Sequence, residues 1–188
     1  DWLPRLESAL TGFGHEAAVV AAVGMAFADR QLWGKARKLL EQSAAASALP
    51  HGHRRKAWLA LAQMARCYRA LQALGPAETY LERALAWART LGAADQSVEI
   101  LCLLAETSCS RAERQAQDDS RRSHAALERT RDWAFEATGL SGHVADPQWE
   151  IKVLLRISDV LDRCGDHDDA VQLQSRAMRL MYSAHVDG

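Results

Sequence analysis

Cys109, Ser110 and Glu113 place a thiol, a hydroxyl and a carboxylate close together on one predicted helix. A cysteine nucleophile acts as the thiolate and needs a neighbouring base, usually histidine, to form it. No histidine follows at a plausible interval on this helix. The sequence therefore names no base for Cys109, and we predict no catalytic residues. A cleft holding a Cys or His pair with perturbed pKa values would favour an enzyme instead.

Two histidine motifs suggest a divalent metal at first sight. His51 and His53 lie in one predicted loop, but a zinc site needs three or four ligands and no third ligand lies nearby. His167 lies between Asp166 and Asp168, at the predicted start of a helix. Carboxylates at that position are explained by the positive end of the helix dipole. We therefore predict no metal site and no cofactor.

The four cysteines fall inside predicted helices and lack any CxxC spacing. They are Cys67, Cys102, Cys109 and Cys164. A zinc or redox site would have to be assembled entirely by the fold. Because free cysteine is among the most buried residue types, we predict buried, reduced thiols and a reducing compartment.

Charge and aromatic content limit the class of partner. The net charge is −1, from 23 basic and 24 acidic residues, which gives no electrostatic footprint for nucleic acid or an anionic membrane. Basic residues between Arg111 and Arg131 alternate with acidic ones, as on a solvated helix surface. The six tryptophans fall at or near predicted contacts between helices, so we predict core packing and no stacking on bases.

No apolar run reaches the roughly 18 residues that a membrane-spanning helix requires. We therefore predict no direct membrane insertion and a cytoplasmic location. Because the chain begins at Asp1 and not at Met, we also expect a fragment of a longer protein, which could be membrane-anchored.

These residues are positioned by helices, because alanine and leucine dominate and no run alternates apolar and polar residues. Residues 58 to 85 carry a clear small–large–small pattern at helical spacing: Ala65, Tyr68, Ala77, Leu81 and Ala84. The same spacing recurs once before it: Gly24, Phe27, Ala36, Leu40 and Ser43. A nearly regular copy follows later: Ser158, Leu161, Gly165, Ala170 and Ala177. Small residues let two helices approach, so each set predicts a helical hairpin.

Start and stop signals divide the chain into a lead-in helix over 2–10 and four hairpins at about 15–47, 53–91, 95–139 and 147–182 within a single domain. Asp95 is a candidate N-cap, and Asp146–Pro147 is an N-cap followed by a first-turn proline. Gly139 is expected to end the sixth hairpin helix. The polar segment 117–122 interrupts the third hairpin, and we expect it to push that hairpin's second helix outward.

The spacing resembles the tetratricopeptide repeat (TPR), at four or five positions in hairpins one, two and four. This resemblance implies an all-α fold of antiparallel hairpins stacked as a right-handed α-solenoid. It is a packing motif, so it carries no catalytic residue to this chain.

Residues 1–65 also resemble the C-terminal repeats of the HemY family of haem-biosynthesis-associated inner-membrane proteins, above all from Phe27 to Glu41. The likeness stops after about Ala65, and the remainder resembles a different TPR-like protein. The chain is either a naturally divergent array or two repeat fragments spliced within 53–71, an engineered chain without a cellular function.

TPR-like arrays usually bind extended peptides or partner helices on the concave face made by the first helix of each hairpin. The charged candidates for that face are Arg66, Arg69, Glu99, Glu106, Lys152, Asp159 and Asp162. We predict a non-enzymatic scaffold that binds a protein or peptide there. The alternatives are a solvated face without a ligand and a purely structural module. End repeats could also stack on a second copy as a homo-oligomer.

Overall fold

A computed structural model of the chain describes residues 17–46, 57–116, 120–143 and 146–186. These residues form eight α-helices and no strand. The helices are α1 Ala17–Asp29, α2 Trp33–Ala46, α3 Ala57–Ala70, α4 Leu74–Thr90, α5 Ala94–Gln115, α6 Ser120–Ser141, α7 Pro147–Arg163 and α8 His167–Val186. The chain divides into two compact units, Asp1–Trp87 and Ala88–Gly188, here called unit 1 and unit 2. The predicted lead-in helix, His51 and His53 lie outside the described residues.

In unit 1, the small and large residues of the repeat pattern form the core. Gly24, Phe27, Ala36, Leu40 and Ser43 are all buried where α1 packs against α2. A methyl group on Gly24 would lie 2.9 Å from Leu40 Cγ, so this glycine is the notch that lets the two helices approach.

The second hairpin of unit 1 buries its repeat residues in the same way. Ala65, Ala77, Leu81 and Ala84 are fully buried, while Tyr68 is half-buried and stacks on Tyr80 with 5.4 Å between ring centroids. The Tyr68 hydroxyl donates a hydrogen bond to Glu41 of α2, which raises the pKa of Tyr68 to about 12. These contacts join α3 to both of its neighbours in unit 1.

The turns after α1, α3, α4 and α7 have one common geometry. In each, a backbone N–H donates to the carbonyl five residues earlier, as from Leu32 to Phe27 at 2.9 Å and from Asp166 to Leu161 at 2.9 Å. Each turn also contains one residue with positive φ: Gln31, Gln72, Gly92 or Gly165. This is the Schellman arrangement that ends helices. It recurs in all four turns, although the residue with positive φ is glutamine in two of them and glycine in the other two.

In unit 2, the third hairpin is closely packed, so the prediction that its second helix is pushed outward is wrong. Ser108 of α5 donates to Ala126 O at 3.0 Å, and Ser123 of α6 donates to Ala112 O at 3.0 Å. Buried alanines and short hydroxyl side chains line both helices. Small residues therefore form this interface as well, at a spacing that differs from that of the other hairpins.

One predicted helix boundary is confirmed and two are wrong. Asp146 caps α7 by accepting a hydrogen bond from the backbone N–H of Gln148 at 2.9 Å, and Pro147 is the first residue of the helix. Asp95 is not an N-cap, because α5 begins at Ala94 with Ala93 as its cap. Helix α6 continues past Gly139 to Ser141. Gly165 is exposed in a turn at φ +85° and takes no part in the packing predicted for it.

Candidate partner-binding face

Two helices of unit 2 carry charged residues at a spacing of seven. Helix α5 carries Glu99, Glu106 and Glu113, and helix α7 carries Arg156 and Arg163. Seven residues are nearly two turns of an α-helix, so each set lies on one face of its helix. Helices α5 and α7 are in contact, which brings the carboxylates and guanidinium groups together.

Arg156 joins two of the carboxylates. Its Nη1 lies 2.7 Å from Glu99 Oε2, while its Nε and Nη2 lie 3.0 and 2.8 Å from Glu106 Oε1. Burial disfavours the guanidinium charge, but the charges of Glu106 and Glu99 outweigh it and raise the pKa of Arg156. One arginine therefore holds two predicted binding residues in a fixed geometry.

Arg163 makes the corresponding contact one heptad further along. Its Nε and Nη2 lie 2.9 and 2.8 Å from the two carboxylate oxygens of Glu113, a bidentate pair. The same Nη2 donates to Ser110 Oγ at 3.2 Å, and Nη1 lies 4.0 Å from Asp159 Oδ2. The hydrogen bond with Glu113 raises the pKa of Arg163.

The outer side of α7 combines charge with one apolar side chain. Lys152, Leu155 and Asp159 follow each other at spacings of three and four, so they share a face with Arg156. All three are exposed, and Leu155 is 41% exposed. Asp162 is exposed at the edge of this surface, where its Oδ1 lies 2.6 Å from His167 Nδ1. We call the surface of Glu99, Glu106, Lys152, Leu155, Arg156, Asp159 and Asp162 the α5–α7 face.

Two of the predicted binding residues lie in unit 1 on α3. Arg66 is exposed, and Arg69 is half-buried near the end of the helix. The structure thus brings together Glu99 with Glu106 through Arg156, and it places Lys152, Asp159 and Asp162 on α7.

The residues that sequence reasoning missed are Leu155, Arg156 and Arg163. A signal for the two arginines was present, because their spacing of seven matches that of the glutamates on α5. That signal becomes meaningful only when α5 and α7 are known to be neighbours. Among the basic residues between Arg111 and Arg131, Arg131 forms a bidentate pair with Asp166, with Nε–Oδ2 and Nη2–Oδ1 distances of 2.7 and 2.9 Å.

The cysteines and histidines are placed as follows. Cys67, Cys102 and Cys109 are buried and Cys164 is half-buried, and all four are free thiols. Cys109 Sγ and Cys164 Sγ lie 3.4 Å apart. Within the described ranges, no group of three or more His, Cys, Asp or Glu side chains could hold a metal ion, and no helix is long and apolar enough to cross a membrane.

No protein-family model matches the sequence, and a search of curated proteins finds no match. Solved structures do match. BtubC (BKLC) from P. vanneervenii aligns with a TM-score of 0.65 and 17% identity, over 90% of this chain and 64% of BtubC. MamA aligns with a TM-score of 0.59 and 13% identity, over 96% of this chain and 86% of MamA. The chain thus spans slightly less than two thirds of BtubC.

These two neighbours are TPR-like repeat proteins. Together with the eight helices, they confirm the predicted fold class, an all-α TPR-like α-solenoid of antiparallel helical hairpins. At this level of identity the likeness establishes the fold alone.

Proposed function

We propose that this chain is a non-enzymatic scaffold that binds a protein or peptide partner on the first helices of its hairpins. The observation that carries the proposal is the α5–α7 face, where an exposed leucine lies among charges of both signs. Repeat proteins with TPR-like folds typically serve as interaction scaffolds without catalytic activity. We propose that the partner contacts the concave face of the helical array.

The composition of the α5–α7 face favours an extended peptide or an amphipathic helix of mixed charge. Leu155 offers an apolar contact, Lys152 a positive charge, and Asp159 and Asp162 negative charges. Such a surface selects partners by charge pattern as well as by apolar contact. The net charge of −1 gives no comparable attraction for nucleic acid.

The test is selection of peptides from a random displayed library on the purified chain, followed by binding measurements with variants. Leu155→Asp should weaken binding of the selected peptides at least tenfold. Phe135→Asp is the matched control, because Phe135 is also an exposed apolar residue of unit 2 but lies on α6. Equal binding by Leu155→Asp and the wild type would place the site elsewhere.

Arg66 and Arg69 are proposed contacts on α3 and are tested separately. Replacing both by Glu should reduce binding of any peptide that carries acidic residues. Unchanged binding would remove α3 from the proposal while leaving the α5–α7 face untouched. If library selection returns no specific peptide at all, the alternative of a structural module without a ligand is favoured.

The HemY resemblance and the spliced-fragment alternative remain predictions. Separate searches with residues 1–60 and 90–180 test them, because one natural parent that matches both stretches contiguously removes the splice.

Self-association through end repeats also remains a prediction. On α8, Val171, Met178 and Tyr182 share one exposed apolar strip, since their spacings are seven and four. If two copies associate there, Met178→Asp should convert a dimer to a monomer in sedimentation velocity measurements.

A further inference from the structure

We propose that Cys109 and Cys164 form a reversible intramolecular disulfide, making this pair a thiol-modification site of the chain. Cys109 lies on α5, and Cys164 follows the last residue of α7. The two residues are 55 positions apart in sequence, yet their sulfur atoms are 3.4 Å apart. A disulfide bond is about 2.05 Å long, so the sulfur atoms must approach by a further ~1.3 Å.

The two thiols differ in access. Cys109 is fully buried, with its Sγ 3.9 Å from Val160 O and 3.8 Å from Glu113 Oε1. Cys164 is half-buried at the end of α7, in the turn that leads to α8. An oxidant in solution therefore reaches Cys164 first, and Cys109 is placed behind it as the second thiol.

The electrostatic surroundings favour the thiolate at Cys164. The hydrogen bond with Cys109 lowers the pKa of Cys164. Burial and the charge of Asp166 oppose this effect, while the charges of Arg131 and Arg163 add to it. The same hydrogen bond, together with burial, raises the pKa of Cys109. These pKa directions make Cys164 the thiol that forms a nucleophilic thiolate more readily.

With hydrogen peroxide as the oxidant, the chemistry balances in two steps. The Cys164 thiolate attacks one peroxide oxygen, the O–O bond breaks, and the departing hydroxide takes up a proton as water, leaving a sulfenic acid on Cys164. The Cys109 sulfur then attacks Cys164 Sγ and the S–O bond breaks. The departing hydroxide leaves with the Cys109 proton as a second water. Two thiols lose two electrons to the peroxide, and a dithiol reductant reverses the change.

The site lies next to the ion pairs of unit 2. Arg163, which precedes Cys164, holds Glu113, and Glu113 lies beside Cys109. Asp166, two residues after Cys164, is held by Arg131 of α6. Movement of Cys164 towards Cys109 therefore acts on the chain segment that carries both pairs.

The experiment treats the full chain with hydrogen peroxide and follows it by intact mass and proteolytic mapping. We expect loss of two hydrogen atoms, a cross-linked peptide pair containing Cys109 and Cys164, and reversal by dithiothreitol. The double variant Cys67→Ala/Cys102→Ala is the matched control and should form the same cross-link. Cross-links that involve Cys67 or Cys102, or only disulfides between two chains, would overturn the proposal.

A trapping experiment separates the roles of the two thiols. In Cys109→Ala, the sulfenic acid on Cys164 has no partner, so labelling by dimedone should rise at least fivefold over the wild type. In Cys164→Ala, dimedone should not label Cys109 above background. Circular dichroism checks that both variants are folded. Equal labelling of Cys109 and Cys164 in these variants would contradict the assignment.

Discussion

Arg156 on α7 holds the carboxylate of Glu106 on α5 with two nitrogen atoms, Nε at 3.0 Å and Nη2 at 2.8 Å from the same oxygen. The side chains are about one third and one quarter exposed, so water screens this pair only in part. The contact connects helices of adjacent hairpins, and it forms on the surface that we propose for binding. Because both residues belong to this chain, the contribution of the Arg156–Glu106 ion pair to stability can be measured without a binding partner.

Replacing Arg156 by Ala should lower the free energy of unfolding by about 1–2 kcal/mol. This loss of stability lies between those typical of exposed and of fully buried ion pairs, because the side chains are partly exposed. Glu99 and Glu106 both lose their partner in this variant. Urea unfolding of Arg156→Ala, Glu106→Gln and the double variant gives the coupling energy. Lys152→Ala, on the same helix face, should change stability by less than about 0.5 kcal/mol. A coupling energy near zero would contradict the structural role of the pair.

Replacing Gly24 by Ala should destabilise the first hairpin by about 1–3 kcal/mol, because the new methyl group would lie 2.9 Å from Leu40 Cγ and 3.3 Å from Leu39 Cβ. Gly34→Ala is the matched control on α2, where nothing lies within 4 Å of the added atom. That substitution should be neutral or stabilise by up to about 1 kcal/mol through helix propensity. Thermal unfolding of both variants tests the prediction, which fails if Gly24→Ala is as stable as the control.

Replacing Gln31 by Gly should stabilise the chain by about 0.5–1 kcal/mol. Gln31 has a φ of 60° in the turn after α1. This left-handed backbone conformation is unfavourable for a residue that carries a side chain, whereas glycine adopts it without strain. The reciprocal change, Gly92→Ala at φ 65°, should destabilise by about 1 kcal/mol, although no atom lies within 4 Å of the new methyl group. Chemical denaturation measures both changes. Effects of the same sign would show that backbone conformation is not the cause.

The buried thiol of Cys67 should make stability fall at alkaline pH. Burial raises the pKa of Cys67 from its ordinary 9.0 to about 11, so the unfolded chain loses this proton first. The contribution of the neutral thiol to the free energy of unfolding is fully present below pH 9 and is lost as the pH rises through about 11. Unfolding free energies at pH 8, 9 and 10 should fall more steeply for the wild type than for Cys67→Ala. Parallel curves for the two proteins would contradict a buried, neutral Cys67.

The helical hairpins could be predicted from the sequence because their signals are local. The spacing of Ala77, Leu81 and Ala84 places three buried residues on one side of α4, and Asp146–Pro147 marks the start of α7. Each signal acts within a few residues of the chain, so it does not depend on the arrangement of distant helices.

The errors came where a local signal had more than one structural outcome. Asp95 could cap a helix or occupy its first turn, and the structure has it in the first turn of α5. The altered spacing of hairpin three suggested a displaced helix, yet Ser108, Ser123 and buried alanines pack α6 against α5. Serine and threonine can act as small packing residues when their hydroxyl groups bond to backbone carbonyls, which a small–large–small pattern does not detect.

The sequence by itself determined the eight-helix hairpin pattern of the described residues and the net charge of −1. Only the tertiary structure decided which side chains meet across helices, such as Arg156 with Glu99 and Glu106, Arg131 with Asp166, and Cys109 with Cys164. These partners are 35 to 57 residues apart, so their contact depends on how each helix is rotated against its neighbour. Residue spacing along one helix specifies which face a side chain occupies, but not which residue of the next helix lies opposite.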